Sequence, residues 1–123
     1  MKNFDSNIPI YLQVMDDIKK QIITGKLKPN DKLSSVRELA QTYAVNPNTI
    51  QRTFQELEKE DLVKSERTSG RYVCVDENRI NNLRFKMTEK VICDFINELN
   101  ELGYKENDIP QLLEQVKEKY YER

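Results

Sequence analysis

The sequence predicts a mainly α fold with a small β-hairpin: a winged helix-turn-helix followed by a two-helix C-terminal dimerisation tail. Two helix-start signals stand close together at Ser35 and Asn46. Two β-like runs follow, residues 62–66 and 71–75, around a glycine-containing loop. The last ~45 residues are helical in pattern and carry more apolar surface than two helices can bury on each other. Residues 8–76 then form the winged helix-turn-helix, with the helix-turn-helix at about 36–55 and the wing at about 62–75. Residues 77–123 form the tail.

Pro9 opens the first helix, whose apolar stripe is Tyr11, Val14, Met15, Ile18 and Ile22 at i, i+3, i+4 spacing. Gly25 ends it, as a residue to which a left-handed conformation costs little. Residues 26–33, with Pro29 and Asn30-Asp31, read as a turn-rich connector. Ser35-Val36-Arg37-Glu38 has the spacing of a capping box and starts a second helix with Val36, Leu39, Ala40 and Tyr43 inward. Asn46-Pro47 starts a third, an N-cap followed by proline where its missing N–H costs nothing, with Ile50, Phe54 and Leu57 inward. Two short helices at a tight turn make a helix-turn-helix or a generic helical hairpin. Small Ala40, the turn at Ala44-Val45 and apolar Ile50 favour the first. Arg67-Thr68-Ser69-Gly70 then joins the two β runs as a hairpin loop.

Composition narrows the function. The chain has 123 residues, enough for one ordinary domain or a small domain with an appendage. With 33% charged and 37% hydrophobic residues it reads as globular, not disordered. No run approaches the roughly 18 apolar residues of a membrane span. Residues 1–6 lack the apolar core of a signal peptide, so a cytoplasmic location and no membrane partner are expected. Cys74 and Cys93 match neither a redox nor a zinc spacing and read as two reduced thiols. There is no histidine, which removes the commonest general base and the commonest metal ligand. No catalytic set, metal site or cofactor is expected.

The net charge of −1 does not announce a nucleic-acid binder, so the signal is local. Residues 39–55 and 67–75 contain no acidic residue. The third helix carries the polar stripe Asn48, Gln51, Arg52 and Gln55, opposite its apolar stripe. Asn and Gln pair with adenine in the major groove and Arg with guanine. Acids begin only at Glu56, so a helix entering the groove N-terminus first keeps them from phosphate. An ordinary solvated face would mix the signs throughout. Arg37, in the first turn of the second helix, is placed for a phosphate, or else pairs with Glu38 or Glu56. Lys64, Arg67 and Arg71 around Gly70 suit a wing that reaches backbone or minor groove. The competing reading is a winged-helix protein-interaction module, in which this stripe meets another protein.

Four segments then carry a resemblance. Pro9-Ile10-Tyr11-Leu12-Gln13, Leu33-Ser34-Ser35-Val36-Arg37-Glu38-Leu39-Ala40, Val45-Asn46-Pro47-Asn48-Thr49-Ile50 and Leu57-Glu58-Lys59-Glu60-Asp61-Leu62-Val63 resemble the GntR family of bacterial regulators. The third segment and the short tail are most similar to its YtrA-type subfamily. The resemblance covers roughly residues 8–76. It implies a homodimer that binds a palindromic operator, usually as a repressor, with Arg37, the start of the third helix and Gly70 touching DNA. The usual proline is here Ser34 and the usual glycine Asn30. Other branches have arginines at the positions of Pro47 and Gln51. Readout is therefore expected from Asn46, Asn48, Thr49, Gln51 and Arg52, with Ser35, Gln55, Lys64, Arg67, Ser69, Gly70 and Arg71 completing the DNA-binding set. YtrA-type relatives often sit beside genes for membrane transporters.

In the tail, Leu83, Met87, Val91, Phe95 and Leu99, then Leu112, Val116 and Tyr120, fall at helical spacing on either side of Gly103. A second copy of the chain is expected to cover them through a symmetric interface. The alternative is packing of the tail on its own winged helix. So short a tail leaves little room for the roughly 300 Å³ of an enclosed ligand pocket. A small effector between subunits or beside the wing stays open, and nothing identifies one.

Overall fold

The computed structural model describes residues 4–121. Its elements are α1 (Ile10–Ile23), α2 (Val36–Tyr43), α3 (Pro47–Lys59), β1 (Val63–Glu66), β2 (Gly70–Val73), α4 (Glu77–Glu101) and, after a single 3-10 turn at Glu106–Asp108, α5 (Ile109–Tyr120). The chain divides into two compact units, Met1–Arg84 and Phe85–Arg123, with the boundary inside α4.

The first unit is built on α3. Ile50, Thr53, Phe54 and Leu57 are its buried stripe, packed against Val14, Met15, Ile18 and Ile22 of α1 and Ala40 and Tyr43 of α2. Leu33, Leu62, Val63 and Val73 close the same core from the connector and the hairpin. The helix starts are those the sequence predicts. Ser35 caps α2 and Glu38 returns the bond to the Ser35 N–H, a complete capping box. Asn46 caps α3, with Pro47 in its first turn. Between them Ala44 is left-handed at φ 56°, and the Val45 N–H donates to the Ala40 carbonyl at 3.0 Å.

The hairpin is antiparallel, in the register Val63↔Val73 to Glu66↔Gly70. Gly70 therefore pairs in β2 and the loop shortens to residues 67–69, while Val75 lies outside the strand. The connector is more than a turn. Lys32 bridges Tyr72, and the Leu33 N–H donates to the Arg71 carbonyl at 2.8 Å, so a third extended segment flanks β2.

Ile80 and Leu83, in the first turns of α4, are buried in this first unit. The unit therefore runs through Arg84 rather than stopping at residue 76. Leu83, expected on the dimer face, is a core residue instead. Arg84 fastens the same end by donating to the Ile23 carbonyl of α1 at 2.6 Å.

The second unit is the remainder of α4 and α5. Gly103, at φ 95°, ends α4, and Pro110 lies in the first turn of α5. Among its described residues none is buried. Val91 is 67% exposed, Val116 46% and Tyr120 53%.

The left-handed Ala44 generates a stability test. An L side chain in this conformation costs about 1–2 kcal/mol, while glycine adds back about 0.4–1 kcal/mol of unfolded-state entropy. Ala44→Gly should raise stability by about 0.5–1 kcal/mol in urea unfolding. A destabilised Ala44→Gly would mean that the turn carries no strain.

Candidate nucleic-acid interface

Three elements bring the predicted residues together on the first unit. On α3, Asn48, Gln51, Arg52 and Gln55 are all exposed, and Thr49 is half-buried. The Asn46 Oδ1 accepts the Asn48 N–H at 2.8 Å, so its carbonyl is used by the cap and only its amide NH2 remains to meet a ligand. The acids at the other end of the helix are occupied. Glu56 pairs with Lys59 at 3.0 Å, Glu60 with Lys19 at 2.9 Å, and Glu58 with Arg71 at 3.0 Å. The N-terminal half of α3 is thus the half without negative charge.

The second element is the start of α2. Ser35 and Glu38 hold each other: the Glu38 N–H donates to Ser35 Oγ at 3.1 Å and the Ser35 N–H donates to Glu38 Oε1 at 2.9 Å. The Ser35 N–H first, and the Ser35 side chain after it, hold the Glu38 carboxyl below its ordinary range, with the nearby Lys32 charge adding to the effect. Arg37 pairs with neither Glu38 nor Glu56 among the described residues. It is exposed and has no ion pair among the described residues.

The wing is the third element, and here the sequence expectation needs correcting. Arg71 does not reach outward. Its guanidinium lies over the Phe54 ring, 4.6 Å from the centroid, and its Nε donates to Glu58 at 3.0 Å. It sits on the face of β2 turned to α3, so its stem covers core and its charge is neutralised by Glu58. Lys64 is exposed but leans on Glu66 at 3.7 Å, a contact worth little. Arg67 is exposed at the loop, with no ion pair among the described residues, and Ser69 and Gly70 are exposed beside it.

Lys32 is the cation that the sequence reading missed. It is exposed, and at Gly70, where φ is 119°, a Cβ would come 3.1 Å from Lys32 Cε. Gly70 lets the lysine stem pass over the wing. A recess of about 250 Å³ lies there, lined by Lys32, Ser34, Ser35, Glu38 and Ser69 among others. Only the pairing of the connector with β2 puts Lys32 at this place, and no local pattern announces that pairing.

Behind this surface, α1 supports α3. The Arg52 guanidinium lies over the Tyr11 ring, 4.0 Å from its centroid, and Arg52 Nη2 donates to Tyr11 Oη at 3.2 Å. Tyr43 is buried, and its hydroxyl donates to Asp17 at 2.6 Å. Burial first, and the bond to Asp17 second, push the phenol pKa up and keep it protonated.

Of the eight tail residues expected at a dimer interface, seven lie in the second unit. Val91, Phe95, Val116 and Tyr120 are exposed, and Met87, Leu99 and Leu112 half-buried. Cys93 is exposed and Cys74 buried. No cluster of metal-ligating side chains occurs among the described residues, and no described helix is long and apolar enough to cross a membrane.

Comparison with known proteins gives the family of the chain. Residues 10–73 match the model of the bacterial regulatory proteins of the gntR family. The HTH-type transcriptional regulator YhcF of Bacillus subtilis is 39% identical over 106 residues, spanning 86% of this chain and 88% of that protein. The repressor YtrA of the same organism is 43% identical over 68 residues, or 55% of this chain and 52% of that one. A GntR family transcriptional regulator from Listeria monocytogenes superposes with a TM-score of 0.84 at 38% identity, over 92% of this chain and 99% of that one. The AraR DNA-binding domain, crystallised with its operator ORR3, superposes with a TM-score of 0.53 at 30% identity, over 60% of this chain and 87% of that one.

The capping box yields a test in two parts. Ser35→Ala should cost about 1 kcal/mol at pH 7 in urea unfolding. Glu38 is held below its ordinary value of 4.5, so its contribution is present above pH 4.5 and fades as pH falls through the lower folded value. The gap between Glu38→Gln, which removes the titrating carboxyl, and the parent should therefore narrow below pH 4.5. A gap that stays constant down to the acid transition would show that the pair is not coupled.

Proposed function

We propose that this chain, which belongs to the GntR family of bacterial regulatory proteins, is a homodimeric repressor binding a palindromic operator with α3 in the major groove. The family are DNA-binding transcriptional regulators, not enzymes, and the chain is one of them. The observation that carries the finer reading is the outward face of α3. Asn48, Gln51, Arg52 and Gln55 are exposed together, and every acid beyond them on α3 is paired.

Arg37 and Arg67 supply phosphate contacts in this reading, from the α2 N-terminus and the wing. Lys32 joins them at the foot of the wing. Arg71 is left to hold the wing on α3. The repressor role is supported by YtrA, named a transcriptional repressor. Control of transporter genes rests on the resemblance to the YtrA-type subfamily, and a cytoplasmic site of action on the nature of the partner, chromosomal DNA.

The dimer is supported by the second unit, which leaves Val91, Phe95, Val116 and Tyr120 exposed. A symmetric partner removes such a surface from water at about 25 cal/mol per Å². In such a dimer two recognition helices are spaced about 34–36 Å apart, one turn of DNA.

Selection of bound fragments from the source genome by the full chain tests operator and target genes together. On the selected operator, Arg52→Ala should relax base preference at one position of each half-site, costing about 1–3 kcal/mol. Arg37→Ala should instead weaken all sequences alike and reduce the salt slope by about one. Equal losses on operator and random DNA for Arg52→Ala would remove it from base readout. For the interface, Phe95→Asp should convert the sedimenting species from dimer to monomer and abolish operator binding while leaving the first unit folded. A Phe95→Asp chain that still sediments as a dimer would place the interface elsewhere.

A further inference from the structure

The contact between α1 and the recognition helix carries a consequence for specificity. Tyr11 lies in the first turn of α1 and is only half-buried, although its spacing places it on the apolar stripe. Its backbone is held from below: Thr53, fully buried, donates to the Thr49 carbonyl at 2.8 Å and reaches the Tyr11 carbonyl at 3.5 Å. Val14 and Met15, one turn on, are buried in the core. The ring is thus a fixed platform. On it lies the exposed Arg52, stacked 4.0 Å from the centroid and hydrogen-bonded to the hydroxyl at 3.2 Å.

We infer that Tyr11 is a specificity-determining positioning residue, which holds the Arg52 guanidinium in the pose from which α3 reads a base edge.

This rests on the reading of α3 as the helix in the major groove. An exposed arginine has many rotamers, and ordering it costs up to about 2 kcal/mol. A guanidinium already stacked on an aromatic face has met most of that cost before DNA arrives. Stacking leaves the edge of the planar fork free, and one Nη carries the bond to Tyr11, so the remaining N–H groups can face a guanine O6/N7 pair. The Tyr11 oxygen accepts from Arg52, which fixes the in-plane rotation of the guanidinium as well as its stacking. Tyr11 therefore acts on sequence choice from a helix that is not the recognition helix, 41 positions away.

The experiment uses the full chain and a randomised duplex pool, from which the parent and each variant select their preferred sequences. Parent failure to enrich any motif would defeat the operator reading itself. Given a parent motif, Tyr11→Leu should lose about tenfold discrimination at the same base pair that Arg52→Ala relaxes. It should do so without weakening affinity for the unselected pool by more than about twofold. Tyr11→Phe, which keeps the stack and drops the hydroxyl, should restore most of the preference. The double variant Tyr11→Leu with Arg52→Ala should be no less selective than Arg52→Ala alone, because both act through one guanidinium. Urea unfolding of each variant confirms the fold, and Tyr11→Gln, which also removes the stack at this half-exposed position, replaces Tyr11→Leu if that variant unfolds. A Tyr11→Leu motif identical to the parent's, or a uniform loss on all sequences, would overturn the assignment.

Discussion

The structure depends on one constraint: α3 must keep one face dry and the other wet along 13 residues. Ile50, Phe54 and Leu57, with Thr53 between them, are the dry face, each at most 1% exposed. Thr53 meets this burial by donating to Thr49 within the helix, so its hydroxyl is not left unpaired. α1, α2 and the hairpin are placed by contact with that helix. α1 and α2 pack across it, and the hairpin folds back so that Arg71 covers the Phe54 ring. A helix so anchored cannot rotate without exposing Phe54 or Leu57, a loss on the order of 3–5 kcal/mol for a large core side chain. The same lock therefore fixes which side chains face outward.

The electrostatics follow from this placement rather than from net charge, which is −1. Glu58 would put a carboxylate near the wing, but Arg71 and Ser65 both bond to it. Arg71 is thereby withdrawn from the surface, and Lys32, Arg37 and Arg67 remain exposed around the N-terminal end of α2 and the wing loop. Three exposed cations, a capped helix terminus and an acid-free half-helix concentrate positive charge locally, with Glu38 the carboxylate among them, in a chain of net charge −1. In the proposed complex these cations would meet the phosphate backbone, and the neutral amides of Asn48, Gln51 and Gln55 would discriminate bases.

The sequence made legible those features that are local. The capping box at Ser35, the Asn46-Pro47 start, the Gly103 stop and the α3 stripe depend on residues within one or two turns, and each stands as read. Features that depend on distant pairing were not legible. Arg71 was read as a wing cation because a short strand does not reveal which face meets the core. Lys32 was overlooked because its bridge to Tyr72 joins residues 40 positions apart. Tyr11 fitted the apolar stripe by spacing, but it lies half-buried beneath the exposed Arg52 guanidinium. The first unit runs through Leu83 rather than ending at residue 76, because nothing in a continuous helical pattern marks where its apolar residues change partners.

The apolar surplus of the tail has a further consequence for how operator binding and folding are linked. In the first unit, cores on α1, α2, α3 and the hairpin close on themselves, whereas the second unit buries none of its described residues. The part of α4 beyond Arg84 and α5 have only half-buried apolar side chains, such as Met87, Leu99 and Leu112, to set against the conformational entropy of ordering them. In the proposed dimer the same two helices of a second copy would add burial. On that proposal association and tail folding would be one equilibrium, with a midpoint that depends on protein concentration. An operator with two half-sites binds both recognition helices at once and so favours the associated state. Affinity for DNA and order in the tail then rise together, although no tail residue belongs to the predicted DNA-binding surface.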